Sequence, residues 1–214
     1  MAIEKKEIQM HKLTVLVGLL LLTAGSALAQ SEYPAAEASM DFMYARTPVA
    51  NQELNCAGGG TTLAYNVSST LGLASDLGYC RFFGNTFGIN RLSGSQFNYL
   101  FGPRLTLRSS SALHPFFDLM FGGTRLGLSC DSGSGFGCLN GTGHFSGSRN
   151  AFAMTVGGGV DVKFSSRVSW RLFQAEYLYT RFNNDCPLAF CNNNNSQNSF
   201  RLKSGLVFGL GHIR

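Results

Sequence analysis

Apolar and polar residues alternate along eight segments of this chain, which predicts β-strands with one apolar face and one small or polar face. The alternation is clearest over residues 151–163, where Phe152 and Met154 belong to the apolar set and Thr155 and Asp161 to the other. Four further segments follow this pattern, namely 71–79, 99–107, 115–126 and 200–210, and two more, 38–46 and 60–67, follow it more weakly.

The eighth segment, residues 167–182, changes its phase partway along. Trp170 belongs to one parity and Tyr177 to the other. A β-bulge near Phe173 would restore a single polar side, because a bulge adds one residue to one strand of a pair. That side would then hold Arg171, Gln174 and Glu176.

The connections between these segments alternate in length. Short connections are predicted at 67–70, 108–114 and 165–166, and long ones rich in Gly, Asn and Ser at roughly 47–59, 80–96, 128–150 and 183–197. An up-and-down sheet puts alternate connections at opposite ends, and short turns at one end with long loops at the other are typical of membrane barrels. We therefore predict an all-β fold, an eight-stranded antiparallel up-and-down transmembrane β-barrel.

Charged residues recur on the polar faces in mid-strand, and they decide which face meets which solvent. A soluble β-sandwich also alternates, with its apolar face inward. Lipid cannot accommodate these charges, whereas a narrow barrel interior can if they pair. The low charged fraction of 14% also disfavours a soluble surface. The predicted interior charges, expected to form a paired network, are Asp41, Asp76, Arg104, Asp118, Asp161, Arg171, Glu176 and Lys203.

Residues 1–29 have the features of a cleaved secretory signal peptide. Lys12 precedes an apolar run over 13–22, and Ala27-Leu28-Ala29 forms a small-x-small cleavage pattern before Gln30. The run is too short for a membrane-spanning helix, which needs about 20 residues. Met10 is an alternative start, which would leave residues 1–9 untranslated. Residues 30–214 are then one exported domain, expected in the outer membrane of a Gram-negative bacterium.

Six cysteines behind an export signal predict a disulfide framework in an oxidising compartment. Cys130 and Cys138 are close enough to staple their own loop, as are Cys186 and Cys191. Cys56 and Cys80 would then join the first long loop to the second. The sequence alone leaves the connectivity open. A metal site is disfavoured, because the spacings do not fit a zinc site and no paired histidines lie nearby.

The remaining chemistry in the sequence is sparse. The net charge of +5 forms no Lys/Arg cluster along the chain, so no nucleic-acid partner is predicted. Only His144 stands near a hydroxyl, that of Ser146, a His-x-Ser pair similar to that of lipid A deacylase barrels. No nearby carboxylate orients the imidazole, which favours a polar loop histidine instead. No catalytic residue, cofactor or metal is predicted.

Two stretches resemble the small OmpA-like and OmpX-like outer-membrane barrels. Residues 170–182 are similar to the seventh strand of that family, and 203–210 to the last-strand signal that the barrel-assembly machinery recognises. In that signal Gly205, Phe208 and Leu210 occupy the characteristic positions. The resemblance covers about residues 38–210; the chain departs from it by continuing through 211–214 instead of ending on an aromatic residue.

The resemblance implies a monomer embedded in outer-membrane lipid, with the assembly machinery and periplasmic chaperones as partners during biogenesis. The leading functional hypothesis is a non-enzymatic protein, structural or surface-binding through disulfide-stapled external loops, whose ligand the sequence does not identify. The alternatives are a lipid-modifying enzyme that uses His144 and Ser146, and a narrow channel. Eight strands enclose an interior that side chains just fill, which disfavours the channel.

Overall fold

A computed structural model describes residues 33–49, 52–83, 92–108, 112–130, 145–182 and 196–211. Residues Met1–Tyr33 with Arg214 form one unit, of which only Tyr33 is described, so the predicted signal peptide lies outside the described residues. Within the described ranges, no helix is long and apolar enough to cross a membrane. The second unit, Pro34–Ile213, contains all the strands.

Eight antiparallel strands close into a barrel in the order β1 to β8, with each strand paired to its neighbours in sequence and β8 paired to β1. This confirms the predicted fold class. The strands are β1 (Ala36–Val49), β2 (Gln52–Asn66), β3 (Leu71–Phe83), β4 (Leu92–Thr106), β5 (Leu113–Cys130), β6 (Phe145–Lys163), β7 (Val168–Phe182) and β8 (Ser196–Leu210).

The predicted facing of side chains is confirmed. In β1, Met40 and Phe42 are 72% and 62% exposed, whereas Asp41 and Met43 between them are buried. Every strand for which side chains are described presents large apolar residues outward in this way. A barrel with an apolar outer face and a polar inner face is suited to a lipid environment, as in membrane barrels.

The strands extend further than the hydrophobic pattern predicted. The long connection predicted at 47–59 is wrong, because β1 and β2 remain paired as far as Val49 and Gln52. Alternation of hydrophobicity ends where the outer face leaves lipid, but the hydrogen-bonded ladder needs no apolar side chains and continues past that level. The other three long connections shrink for the same reason, leaving residues 84–91, 131–144 and 183–195 outside the described part.

Two of the three short connections are confirmed as tight turns, and the one predicted at 108–114 includes residues 109–111, which lie outside the described residues. Val67 and Ser68 both donate their backbone N–H to Leu71 O at 2.9 Å. At the next such turn but one, Phe164 donates to Val168 O at 3.1 Å. These turns lie at one end of the barrel, which we call the turn end; the opposite end is the loop end.

The bulge considered in β7 is present. The register of β7 shifts between Arg171 and Gln174, and Leu172 and Phe173 both face outward, 43% and 47% exposed. Because two consecutive residues face outward there, Arg171, Gln174 and Glu176 all point into the barrel and are completely or almost completely buried.

The strands are tilted around the barrel axis. Successive opposed residues that begin at Ala36 in β1, followed through all eight strands, return to β1 at Arg46, ten residues nearer the loop end. A closed barrel requires such a stagger, which accompanies strand tilt. Residues at the same height on neighbouring strands are therefore not paired with each other. From each strand to the next, the position at equal height lies slightly more than one residue nearer the turn end than the paired residue.

Candidate functional site

The barrel interior contains nine buried charged side chains, which lie between the turn end and the middle of the barrel. Strand alternation places each of them inward, and none is more than 7% exposed. They comprise the eight predicted charges and one further residue: Asp41, Asp76, Arg104, Asp118, Asp161, Arg171, Glu176, Lys203 and Arg201. Arg201 was missed as a site residue, although it shares its parity with Lys203 and that signal was available.

The first group of charges lies beside Phe116. Arg104 donates through Nε and Nη2 to the two carboxylate oxygens of Asp118, at 2.7 and 2.8 Å. Arg171 makes a similar forked contact with Asp161, at 3.0 and 3.3 Å. The two guanidinium carbons lie 4.5 and 4.7 Å from the centre of the Phe116 ring, in cation–π geometry. Both cations are therefore held by paired charge and by an aromatic face.

The second group joins β8 to β3 and β7 across the barrel. Arg201 Nε donates to Glu176 Oε2 at 2.6 Å, and its Nη2 donates to Asp76 Oδ2 at 2.9 Å. Lys203 Nζ donates to Asp76 Oδ1 and lies 3.5 Å from Glu176 Oε2. Two cations and two carboxylates thus form a closed square in which each charge has two opposite neighbours.

Gln174 connects the two groups. Its Nε2 donates to Asp118 Oδ2 at 3.1 Å and to Glu176 Oε1 at 2.9 Å, while its Oε1 accepts from Arg171 Nη1 at 3.0 Å. The charged residues and this amide form one continuous network across the barrel. Removing one partner from such a network leaves a buried charge uncompensated, which is strongly destabilising.

Asp41 sits at the edge of this network. Ser39 Oγ donates to its Oδ2 at 2.5 Å, and Arg171 Nη1 lies 3.4 Å from the same oxygen. Its Oδ1 is buried without a hydrogen-bond partner. Gly205 lies beside it on β8, where an added Cβ would lie 2.0 Å from Met40 O, so only glycine fits the backbone there.

A separate ion pair closes the turn end. Arg108 Nη2 donates to Glu37 Oε1 at 2.6 Å, and its Nη1 donates to Ser69 O at 2.6 Å. Asn66 Nδ2 donates to Pro34 O at 2.8 Å and so ties β2 to the chain before β1. This ion pair was not predicted from the sequence, because Arg108 lay in a predicted turn and Glu37 before the first predicted strand.

Among the described residues, the interior between the charged network and the loop end is neutral. Cys56 and Cys80 form a disulfide there, with their Cα atoms 5.6 Å apart, and both are fully buried beside Met43 and Ala45. The predicted pairing is therefore present, but its location in loops is wrong. Since β2 and β3 extend through these positions, the bond links two neighbouring strands inside the barrel.

The other cysteines remain predictions. Cys130 is the last residue of β5, and its side chain is not described. Cys138, Cys186 and Cys191 lie outside the described residues. The pairings of Cys130 with Cys138 and of Cys186 with Cys191 are thus expected but untested.

Neutral hydrogen bonds and apolar side chains fill the space around the disulfide. Gln96 Nε2 donates to Asn98 Oδ1 at 3.1 Å and to Thr124 Oγ1 at 3.2 Å. An apolar cluster that includes Leu100, Met120 and Leu178 also lies in the interior, and Leu100 stands opposite Asp76 of the charged network. In the described residues the interior is occupied by side chains in both halves.

The candidate catalytic pair is not brought into a described site. His144 lies outside the described residues, and Ser146 lies in β6 opposite Ser129, with its side chain not described. Across the described ranges, no three His, Cys, Asp or Glu residues are placed to hold a metal ion. The buried carboxylates are taken up by guanidinium, ammonium, amide and hydroxyl groups, an arrangement suited to holding strands together.

The assembly-signal residues lie in β8. Phe208 and Leu210 face outward, 37% and 55% exposed, while Gly205 packs against β1. Outward side chains near the turn end are accessible to lipid or to another protein. Recognition by the assembly machinery stays a prediction.

Comparison with solved structures finds small barrels of the same fold. Neisserial surface protein A (NspA) is 14% identical, with 85% of this chain and 100% of that chain covered and a TM-score of 0.55. Ail, the attachment invasion locus protein of Yersinia pestis, is 14% identical, with 82% and 99% covered and a TM-score of 0.54. At this identity the likeness shows the fold alone. No curated protein matches the chain.

The family model described as "Outer membrane protein beta-barrel domain" matches residues 17–208. That match covers most of the chain, and it agrees with the closed barrel, its outward apolar face and its charged interior. The chain therefore belongs to the outer membrane protein beta-barrel domain family, and its fold is a closed barrel of eight strands.

Proposed function

We propose that this chain is a non-enzymatic protein of the bacterial outer membrane that acts by presenting its loop end at the cell surface. The observation that carries the proposal is the continuous network from Arg104 through Gln174 to Arg201, with an apolar cluster packed beside it. Such an interior holds the strands and leaves the outer surface and the loops as the parts able to meet a partner.

A related structure supports a surface role. Ail of Yersinia pestis was crystallised in complex with the heparin analogue sucrose octasulfate; it is 15% identical to this chain, with a TM-score of 0.50. We infer from this only that a small barrel of this fold can carry an external ligand.

The disulfide supports the same reading. Cys56 and Cys80 join β2 to β3 in the loop-end half, close to where these strands leave for their loops. A cross-link at this position restricts the strand ends that carry the loops. A surface that must keep one shape outside the cell benefits from such a restraint.

Limited proteolysis of intact cells tests the orientation. Proteinase added outside should cleave within residues 131–144 and 183–195 and leave the short turns at 67–70 and 164–167 intact, as read by mass spectrometry. Cleavage at the turns of intact cells would contradict the proposed orientation.

A lipid assay separates this proposal from the enzymatic alternative. Vesicles that contain lipid A, incubated with the folded protein, should keep their acyl chains, and His144→Ala or Ser146→Ala should leave the lipid profile unchanged. Release of fatty acid that both substitutions abolish would establish the enzyme instead.

A further inference from the structure

Four arginines that are far apart in sequence face outward at the loop end of the barrel. They lie on alternate strands, β1, β3, β5 and β7, and each is exposed. Each continues the outward row of its strand, as Arg81 continues the row of Leu77 and Tyr79. We call these four residues the arginine belt: Arg46, Arg81, Arg125 and Arg181.

The strand registers place the belt at one level. Arg46 is paired with Asn55 on β2, and Asn55 is paired with Phe83 on β3. Arg81 therefore lies two residues nearer the turn end than Phe83, the β3 residue in line with Arg46. Arg125 likewise lies two residues nearer the turn end than the β5 residue in line with Arg81. The same offset separates Arg181 from the β7 position in line with Arg125.

These steps nearly match the tilt of the barrel. A stagger of ten residues over eight strands lowers a level ring by about two to three residues for every two strands. Steps of two residues therefore leave the four guanidinium groups within about two residues of a common height. The belt is a ring around the barrel, although the sequence shows only scattered arginines.

Tyrosines lie directly beneath the belt. Tyr44, Tyr79 and Tyr179 each precede a belt arginine by two residues in the same outward row. Beneath Arg125 that position is Gly123, and the ring of Tyr99 from β4 fills its place, since a Cβ there would lie 2.3 Å from Tyr99 Oη. Tyrosine is enriched where membrane meets water, so the belt lies at head-group level.

The outward face near the belt carries only positive charge among the side chains that the structure describes. The carboxylates described lie in the interior or, for Glu37, in the turn-end ion pair with Arg108. Arg125 also donates to Ser148 Oγ at 3.0 Å, which orients its side chain without neutralising it. A ring of guanidinium groups at head-group height is suited to anions.

We propose that the arginine belt binds the phosphate groups of the phosphorylated glycolipid in the leaflet at the loop end. Guanidinium groups bind phosphate through forked, charge-assisted hydrogen bonds. The four groups face outward in different directions around the barrel, so together they fit a layer of head groups and not one free anion. The inference goes beyond surface presentation and rests on the proposed outer-membrane placement with the loop end outside.

The test compares two double variants of the full chain folded in detergent micelles. Arg81→Gln with Arg181→Gln removes half of the belt, whereas Lys163→Gln with Arg167→Gln removes two exposed cations at the turn end. Binding of purified lipopolysaccharide is titrated for each, with enzymatically dephosphorylated lipopolysaccharide and inorganic phosphate as further probes. Faster migration of unboiled protein in electrophoresis verifies that each variant is folded.

The belt variant should bind lipopolysaccharide roughly thirtyfold more weakly than the native chain, because each of the two basic residues near a membrane surface contributes about fivefold. The turn-end variant should stay close to native. Arg81→Lys with Arg181→Lys should bind with an affinity between those of the native chain and the belt variant, because lysine keeps the charge and loses the forked hydrogen bonds. Dephosphorylation should weaken binding to the native chain by a similar factor, and millimolar inorganic phosphate should not compete.

Several results would overturn the proposal. These are native-like binding by the folded belt variant, equal loss in the turn-end variant, or unchanged binding of the dephosphorylated lipid. Full competition by inorganic phosphate or by a sulfated saccharide would assign the belt to soluble anions instead. A native chain that does not fold as a heat-modifiable barrel would contradict the outer-membrane placement itself, a failure distinct from that of the belt.

Discussion

The two halves of the barrel interior are filled by opposite chemistry. From the turn end to the middle of the barrel, nine charged side chains form one network. Nearer the loop end, the described interior holds a disulfide with neutral amides and hydroxyls. The outer face has the reverse arrangement, because its arginines lie at the loop end. Charge is thus buried where the strands are joined by tight turns and exposed where the loops begin.

The two halves contribute to the stability of the barrel in different ways. In the charged half every group relies on its partners, because the low-dielectric interior makes an unpaired charge costly. In the neutral half a lost hydrogen bond removes only its own modest contribution. Equivalent substitutions in the two halves should therefore differ in cost, and the turn-end half should control the stability of the whole barrel.

The largest effect is expected from Arg201→Met. This change leaves Glu176 and Asp76 facing each other with Lys203 as their remaining cation, and should lower the free energy of unfolding by about 3–5 kcal/mol. Arg149→Met, at an exposed position, should change it by less than about 0.5 kcal/mol. Urea unfolding in lipid vesicles, followed by the fluorescence of the single Trp170, gives both values. Equal midpoints would show that the network is solvated.

An intermediate effect is expected from removal of the disulfide. Cys56→Ala with Cys80→Ala opens a link across 24 residues, for which chain entropy predicts a loss of about 3 kcal/mol. The barrel should still form, because the closed ladder and the charged network do not need this bond. Unboiled protein should therefore keep its faster migration in electrophoresis. Loss of that migration would mean that the disulfide, and not the network, holds the fold.

The smallest cost in stability is expected from Gln96→Leu, which is compared with Gln174→Leu in the charged network. Gln96→Leu removes hydrogen bonds to Asn98 and Thr124 in the neutral half and should cost about 1 kcal/mol. Gln174→Leu removes hydrogen bonds to two carboxylates and should cost roughly 3 kcal/mol, since bonds to charged groups are stronger. The same urea assay compares them. A cost for Gln96→Leu equal to or above that for Gln174→Leu would remove the distinction between the halves.

Much of the fold follows from residue alternation alone. A period of two fixes which side chains face inward once one face is apolar, so Asp76 and Lys203 were predicted inside without any long-range information. Even the bulge in β7 is visible, because Trp170 and Tyr177 cannot both face lipid without one. The lengths of β1 and β2 were not predictable in this way, since strand pairing outside lipid leaves no hydrophobic pattern.

The partners of each charge depend on registers that a single strand does not show. Arg201 meets Asp76, 125 residues away, only because the barrel closes. The arginine belt is a stronger case, because its level combines six strand pairings with the tilt of the barrel. Local sequence therefore predicts the facing of a side chain, whereas its neighbours across the barrel require the closed topology.

Single-channel recording on the folded full-length chain in planar lipid bilayers tests the central claim most directly, namely that paired charges and apolar side chains fill this barrel. Folding is verified first by the faster migration of unboiled protein. A filled interior should give no conductance steps above those of the protein-free membrane. Reproducible, stepwise openings of the native protein would contradict it, because they would require a continuous water path through the layer formed by Gln174, Glu176 and Arg201.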